Sequence, residues 1–368
     1  MTPYIKIQNI QVAQCLHQFI EQDVLPHSLI SPTDFWQNFS TIIEKLTPIN
    51  KALLATRDDL QTKIDGWHQN NFADNFDFSS YKKFLKDINY LVPEVDDFAI
   101  TTKNVDAELA TMAGPQLVVP IMNARFAINA VNARWGSLYD ALYGSDVISS
   151  ENGAENAGGY NAIRGQKVIE FARQFLDQSI PLTAGSHVQA KHYNVSGAFL
   201  TVTLESGETV KLANGDAFKG YQGTVDAPTA LLFEHNGLHF EINFDKSSVI
   251  AKSDKAGISD ITLESALTTI MDCEDSVAAV DADDKVVAYK NWLGLMQGNL
   301  TTDLVKNGKT IQRTMAVDRQ YHQTDGANLT LKGRSLMFVR NVGHLMTNNA
   351  ILLADGSEVP EGIIDAMV

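Results

Sequence analysis

Residues 335–344 read SLMFVRNVGH, and this segment carries the clearest indication of the fold. Four large apolar residues in a row, 336–339, cannot alternate between a buried and an exposed face. They predict a short strand buried on both faces, as in a parallel sheet. Since α/β folds bind ligands at the carboxyl ends of parallel strands, we expect Arg340 to reach a binding site and hold a carboxylate there. The alternative is an Arg340 that pairs with a neighbouring acid and only seals the rim.

Residues 117–122, LVVPIM, predict a second strand of this kind. The segment after it, 123–135, repeats Ala and Asn and contains Arg125 and Arg134. Small residues permit close approach and Asn offers polar groups, which is typical of a segment that lines a ligand site. A tightly packed helix with solvated arginines is the other interpretation.

Residues 266–271, ALTTIM, predict a third strand, and Asp272, Glu274 and Asp275 follow it directly. Three carboxylates at one strand end repel each other unless cations share the space. A partly hydrated magnesium ion would satisfy them. Alternatively, one or two of them cap a helix and the others pair with an arginine.

Helices are expected in the first 92 residues, with one helix ending at Pro48. A later helix is expected between the cap Asp281 and Gly298. The helices of the first 92 residues are expected to pack on another part of the protein, and none of them carries a pattern that indicates chemistry.

A β-rich module begins near residue 188, where the apolar period changes to two. Hairpins are predicted at 198–212 and 229–244, the second turning at Asn236-Gly237. His235 and His239 have the spacing of a helical zinc site. Because the turn falls between them, we expect them on opposite arms of the hairpin and no zinc site there.

Composition narrows the class of protein. With 368 residues, 44% hydrophobic and 20% charged, the chain can bury a sizeable core. The net charge of −15 argues against nucleic acid and anionic membranes as partners, although a local arginine cluster could still bind a small anion. Cys15 and Cys273 form no metal-binding spacing and fit a reducing compartment. No signal peptide pattern and no apolar run near ~20 residues is present, so we expect a cytoplasmic protein.

Strand-like segments that alternate with helices, interrupted twice by a β-rich module, predict the opening of a (β/α) barrel with an inserted domain. Eight strand–helix units need ~250 residues, so the barrel is expected to be incomplete. The sequence strongly resembles malate synthase, in particular its long G isoform. The resemblance is carried by AGPQLVVP (113–120), MNAR (122–125), NARWGSLYDALYG (132–144), DCEDSVAAVD (272–281), LGLMQG (293–298) and RNVGHLMT (340–347).

The resemblance implies an α/β chain with a partial TIM barrel, an N-terminal helical clasp and an inserted α/β, β-rich domain. The domain boundaries expected from it are a clasp at 1–92, a linker with the first barrel strand and helix at 93–134, the inserted domain at 135–262 and 299–333, and barrel segments at 263–298 and 334–368.

The resemblance also implies an activity, the Mg²⁺-dependent condensation of acetyl-CoA with glyoxylate and hydrolysis of the thioester to malate and CoA in the glyoxylate cycle. Arg340 matches the catalytic arginine, and Glu274 the position that holds a metal-bound water. Phe126 stands where relatives commonly have Tyr, so a hydroxyl contact is lost there. The positions that match the acetyl-CoA channel are Val118, Arg125, Phe126, Ser276 and Arg313.

The family's two direct magnesium ligands and its catalytic aspartate match no residue of this sequence. We therefore expect the chain alone to be inactive and to need a C-terminal half, whereas the complete family member is monomeric. The alternatives are a non-catalytic acetyl-CoA-binding or assembly module, and another Mg²⁺-dependent barrel lyase acting on acyl-CoA.

Overall fold

The computed structural model describes residues 3–71, 76–197, 199–306 and 308–368. The chain divides into two compact units. The first unit comprises Met1–Val105, Asp272–Leu293 and Val339–Val368, and the second comprises Asp106–Met271 and Gly294–Phe338.

The described residues contain both α-helices and β-strands. The helices are α1 (Gln14–Phe19), α2 (Pro32–Asn71), α3 (Phe78–Asp87), α4 (Ala107–Ala110), α5 (Ala124–Asn132), α6 (Leu138–Gly144), α7 (Ala162–Ser179), α8 (Val249–Ser253), α9 (Ala282–Gln297) and α10 (Glu361–Met367). The strands are β1 (Tyr4–Ile7), β2 (Ile10–Ala13), β3 (Gln116–Pro120), β4 (Trp135–Ser137), β5 (Ala190–Ser196), β6 (Phe199–Leu204), β7 (Thr209–Lys211), β8 (Phe218–Thr224), β9 (Ala227–His235), β10 (Leu238–Phe244), β11 (Ile258–Glu264), β12 (Thr268–Asp272), β13 (Thr302–Lys306), β14 (Lys309–Arg313), β15 (Arg319–His322), β16 (Asn328–Leu331), β17 (Leu336–Arg340), β18 (Thr347–Leu353) and β19 (Glu358–Pro360). No helix in the described ranges is long and apolar enough to cross a membrane.

The first unit contains an antiparallel sheet in the order β1-β2-β18-β19. Its first two strands contradict the prediction of helices at the start of the chain. Val12 pairs with Ile5 on one side and with Ile351 on the other. The sheet forms because alternating β-branched residues put one row of side chains, including Ile10 and Val12, into a core shared with Phe39.

Helix α2 is longer than predicted, because it continues through Pro48 to Asn71. Proline removes one backbone donor and crowds the preceding turn, so a helix end was the expected outcome. Here Phe39 and Ile43, before the proline, are buried in the core of the first unit and hold the first turns of the helix. Pro48 itself is exposed, and the helix accommodates it without ending.

The second unit contains a seven-stranded sheet in the order β16-β15-β8-β9-β10-β11-β4, with α6 and α7 contributing to its core. Both predicted hairpins are present as β6–β7 and β9–β10, although residue 198 lies outside the described residues. Asn236 and Gly237 have φ values of 52° and 77°, as the predicted tight turn requires. His235 and His239 consequently lie on opposite arms, as predicted.

A smaller sheet has the order β17-β12-β3. Its strands β12 and β17 run in the same direction, because Leu336 N–H donates to Leu267 O near their starts and Cys273 N–H donates to Arg340 O at their ends. This confirms the predicted parallel pairing. Up to Met271 and Phe338 these strands belong to the second unit, and the residues after them are counted with the first.

The middle strand β12 is mostly buried, whereas β17 is only half-buried and Val339 is 37% exposed. The prediction of burial on both faces is therefore wrong for β17. β17 lies at the edge of this sheet, and packing covers its side chains less completely than those of the middle strand β12. The described residues form a mixed α/β fold and do not form a closed barrel.

Candidate functional site

The carboxyl ends of β12 and β17 bring Asp272 and Arg340 together. Arg340 donates from Nε to Oδ1 of Asp272 at 2.8 Å and from Nη2 to Oδ2 at 2.9 Å. The Asp272 side chain is fully buried, whereas that of Arg340 is 40% exposed. The pair is therefore anchored at its acidic end and open to solvent at its basic end.

Asp272 organises the loop after β12 as well. Its Oδ1 accepts the backbone N–H of Glu274, and its Oδ2 accepts both the N–H and the hydroxyl of Ser276, the latter at 2.6 Å. These donors, led by the Arg340 guanidinium, hold the pKa of Asp272 well below its usual range. The same hydrogen bond to Asp272 raises the pKa of Arg340 further. Both groups are charged at any physiological pH.

Two further carboxylates lie near the same guanidinium. Asp275 Oδ2 is 3.1 Å from Nη1 of Arg340, and Glu274 Oε2 is 3.8 Å from its Nε. The sequence left open whether the acidic residues at this strand end share a cation or pair with an arginine, and here they surround Arg340. Within the described ranges, no group of three His, Cys, Asp or Glu side chains is arranged to hold a metal ion.

Three of the sequence-derived candidates lie at β3 and the start of α5. Val118 is 56% exposed on the strand, and Phe126 is 45% exposed in the first turn of the helix. The Arg125 guanidinium is 5.8 Å from the centre of the Phe126 ring. Asn123 begins the helix by accepting the N–H of Phe126 at 3.1 Å. This segment therefore offers an exposed apolar surface, formed by Val118 and Phe126, with the positively charged Arg125 side chain beside it.

The remaining two candidates are placed differently. Ser276 belongs to the Asp272 loop described above, where its hydroxyl is a donor to the carboxylate. Arg313 is exposed at the end of β14, in a two-stranded ribbon where it pairs with Thr302. The structure thus groups Arg340, Glu274 and Ser276 around Asp272, and it groups Val118, Arg125 and Phe126 along one segment.

Arg134 has a role that neither interpretation of residues 123–135 included. It is buried and donates to Glu264 Oε1 from Nε and Nη2, at 3.0 and 2.7 Å, and to Glu108 Oε1 at 2.8 Å. Although burial alone would raise it, bonds from Lys332 and Arg134 hold the pKa of Glu108 at about 2. Arg134 therefore forms buried structural ion pairs with Glu108 and Glu264 within the second unit, and it neither lines a ligand site nor faces solvent.

Sequence reasoning left open that an acid pairs with Arg340 without singling out Asp272, and it missed a buried cluster of Lys285, Tyr289, Glu361 and Asp365. Lys285 and Tyr289 are four residues apart on α9, and Glu361 and Asp365 are four residues apart on α10. Residues four apart lie on the same face of a helix, and both pairs have apolar residues around them. That pattern was the available signal, because a cation and a hydroxyl on one helix complement two carboxylates on the other.

Two family models match parts of the chain. The model described as malate synthase, N-terminal domain, matches residues 16–78, and that described as malate synthase G, alpha-beta insertion domain, matches residues 160–235.

Curated relatives match all of it. The chain is 55% identical over 368 residues to malate synthase G from Halalkalibacterium halodurans, covering 100% of this chain and 50% of that protein. It is 50% identical over 368 residues to malate synthase G from Corynebacterium glutamicum and 49% identical over 367 residues to that from Corynebacterium efficiens, covering 49% of each. The chain spans about half the length of the curated relatives it matches.

Proposed function

We propose, from the homology of this chain to malate synthase G over its whole length, that it supplies the glyoxylate-binding arginine and part of the acetyl-CoA surface of a malate synthase. The reaction is the condensation of acetyl-CoA with glyoxylate, followed by hydrolysis of the thioester to malate and CoA. The observation that carries this proposal is the Arg340–Asp272 pair at the ends of β17 and β12.

Arg340 is suited to bind the carboxylate of glyoxylate. Two of its five N–H donors are used on Asp272 and a third faces Asp275, which leaves donors on both terminal nitrogens for a planar anion. When a proton leaves the methyl group of acetyl-CoA, negative charge develops on the thioester oxygen. A guanidinium already fixed by Asp272 can stabilise that charge without reorganising.

The described residues do not by themselves fit a magnesium site. Both oxygens of Asp272 already accept hydrogen bonds from Arg340 and from the loop, so this carboxylate is not available as a ligand. Glu274 keeps a 39% exposed side chain near Arg340. Glu274 would hold a magnesium ion through water. The direct ligands would be the two family residues that have no counterpart in this sequence. Magnesium would supply Lewis-acid polarisation of glyoxylate.

For acetyl-CoA we propose contacts from Val118, Arg125, Phe126 and Arg313 of the second unit, and, as a separate contribution, from the Ser276 loop of the first unit. The apolar side chains suit the pantetheine arm and the arginines suit phosphates. We also propose that β3, β12 and β17 are the first three strands of a TIM barrel, that the domain boundaries follow the family's, and that the protein is cytoplasmic.

Malate formation tests the proposal directly. We expect the purified 368-residue chain to be inactive with acetyl-CoA, glyoxylate and Mg²⁺, measured as free CoA thiol. We expect turnover when it is mixed with a second polypeptide carrying the part of the Halalkalibacterium relative that it does not match. Arg340→Lys should lower that turnover on the order of 10²–10³-fold. Robust turnover by the chain alone, or unchanged turnover with Arg340→Lys, contradicts the proposal.

A binding module is the second candidate, and the exposure of Val118 and Phe126 beside Arg125 favours it. It predicts that the chain alone binds acetyl-CoA in a calorimetric titration. Arg125→Ala should weaken that binding, and Arg57→Ala, which changes an exposed arginine on α2, should not. Acetyl-CoA binding without turnover in the mixture would favour this function over catalysis.

A further inference from the structure

The loop after Arg340 is held from behind by one buried carboxylate. Asp365, on α10, accepts the backbone N–H of Val342 at its Oδ2 at 2.9 Å. Its Oδ1 accepts Lys285 Nζ at 2.7 Å and the Tyr289 hydroxyl at 2.5 Å, both from α9. The carboxylate therefore ties α9, α10 and the segment two residues after Arg340 to one another.

The cluster of Lys285, Tyr289, Glu361 and Asp365 is deeply buried, so its members tolerate little displacement. The side chains of Lys285 and Asp365 are each 1% exposed, and Lys285 Nζ also lies 2.5 Å from Glu361 Oε1. Buried charges persist only where they are paired and hydrogen-bonded, so a shift of any one member is costly. Burial also raises the pKa of the neighbouring Cys273 thiol to about 12. The cluster is thus a fixed point in the first unit.

Helix α10 holds the same loop at a second point. A Cβ on Gly362 would lie 2.5 Å from Val342 O and 2.5 Å from His344 Nδ1, so only glycine permits this approach. The N–H and the C=O of Val342 therefore both face α10, one bonded to Asp365 and the other packed on Gly362. On the strand side, Arg340 O accepts the N–H of Cys273 at 2.9 Å. The backbone from 340 to 342 is fixed from two sides.

We propose that Asp365, supported by Lys285 and Tyr289, is a positioning residue for Arg340. The Arg340 side chain is 40% exposed and so receives little packing of its own. Its direction depends on Asp272 at its tip and on where the backbone places its Cα. Asp365 sets that backbone position, so losing it loosens the bidentate pair without removing any group that touches substrate. This inference rests on the proposed function of Arg340.

The test follows the Arg340 Nε–H directly and does not require turnover. The full chain is labelled with ¹⁵N-arginine, and the Arg340 signal is assigned by its loss in Arg340→Lys. Solvent exchange of this N–H is then measured in Asp365→Ala and in the milder Tyr289→Phe. Arg173, which is buried and makes two hydrogen bonds to Asp254, serves as the internal control for folding of the second unit. Asp355→Ala is the matched control, since Asp355 is exposed and accepts the backbone N–H and the hydroxyl of Ser357 in its own turn.

We expect exchange of the Arg340 Nε–H to accelerate by about tenfold in Asp365→Ala, equivalent to ~1.4 kcal/mol. A smaller acceleration is expected in Tyr289→Phe, with Arg173 unchanged in both. Asp355→Ala should leave both signals as in the parent chain. Unchanged Arg340 exchange in both variants overturns the proposal, and so does a Tyr289→Phe variant in which Arg173 accelerates as much as Arg340. If exchange responds as expected but the mixed-polypeptide assay shows no malate, the positioning stands and the proposed function fails.

Discussion

Arg340 and Asp272 meet through two parallel hydrogen bonds at the ends of adjacent parallel strands, with the carboxylate buried and the guanidinium partly open. Asp272→Asn keeps the shape of the side chain but can accept only one of these bonds. In the mixed-polypeptide assay, we expect KM for glyoxylate to rise and kcat to fall, with KM for acetyl-CoA unchanged. Arg340→Lys should be more severe, on the order of 10²–10³-fold in rate, because lysine lacks the planar pair of donors.

The control for this comparison is Asp355→Asn, which removes a carboxylate from an exposed turn. It should leave all three kinetic parameters unchanged. If Asp272→Asn behaves like Asp355→Asn, the anchoring of Arg340 has no part in the reaction.

The buried Glu108–Arg134 pair predicts how stability depends on pH. Because the pKa of Glu108 falls to about 2 in the folded chain, its stabilisation is present above its ordinary pKa of 4.5 and fades as the pH falls toward 2. Glu108→Gln should therefore destabilise most near neutral pH, by roughly 3 kcal/mol at most. The difference from the parent chain should shrink as the pH falls.

Urea unfolding at about pH 7, about pH 4.5 and about pH 3 measures this difference. Glu205→Gln is the matched control, because Glu205 pairs with Lys255 on an exposed surface, where ion pairs contribute little. A Glu108→Gln difference that grows as the pH falls would have the wrong sign for this account.

Local patterns predicted the parts of the fold that depend on near neighbours. The Asn236-Gly237 turn fixes the β9–β10 hairpin within a few residues, and the apolar run at 336–339 predicted β17. The strands at the start of the chain were missed because their stabilising partner is distant, as Val12 pairs with Ile351. No pattern within residues 4–13 reports a strand more than three hundred residues later.

The site divides in the same way. Arg340 and the acids at 272–275 could be placed together because each follows a strand, and parallel strands end at one edge of a sheet. The burial of Arg134 could not be predicted, since its partners Glu108 and Glu264 lie 26 and 130 residues away. The positive charge of Arg134 suggested that it binds a ligand. In the folded chain it is buried and binds the carboxylates of Glu108 and Glu264.

The pairing of β15 with β8 makes a prediction about Gly220. A Cβ at this position would lie 2.7 Å from the backbone oxygen of His322, which cannot move without separating the strands. Gly220→Ala should destabilise the chain by about 1–3 kcal/mol. Gly136→Ala, with nothing within 4 Å of the added carbon, should be neutral in the same urea titration. Equal stability of the two variants would mean that β15 and β8 do not pack as closely as described.

Replacing proline with alanine at two positions of helix α2 tests whether the helix continues through Pro48. The expected change in stability differs between Pro48, inside the helix, and Pro32, its first residue. Pro48 lies inside the helix, where its missing N–H and its ring cost stability, so Pro48→Ala should stabilise the chain by ~1 kcal/mol or more. Pro32 is the first residue of the same helix, where a proline has no bond to lose and its fixed φ is favourable. Pro32→Ala should therefore be neutral or slightly destabilising. Thermal unfolding followed by helical circular dichroism compares them, and a Pro48→Ala variant no more stable than Pro32→Ala would indicate that α2 is interrupted at Pro48 after all.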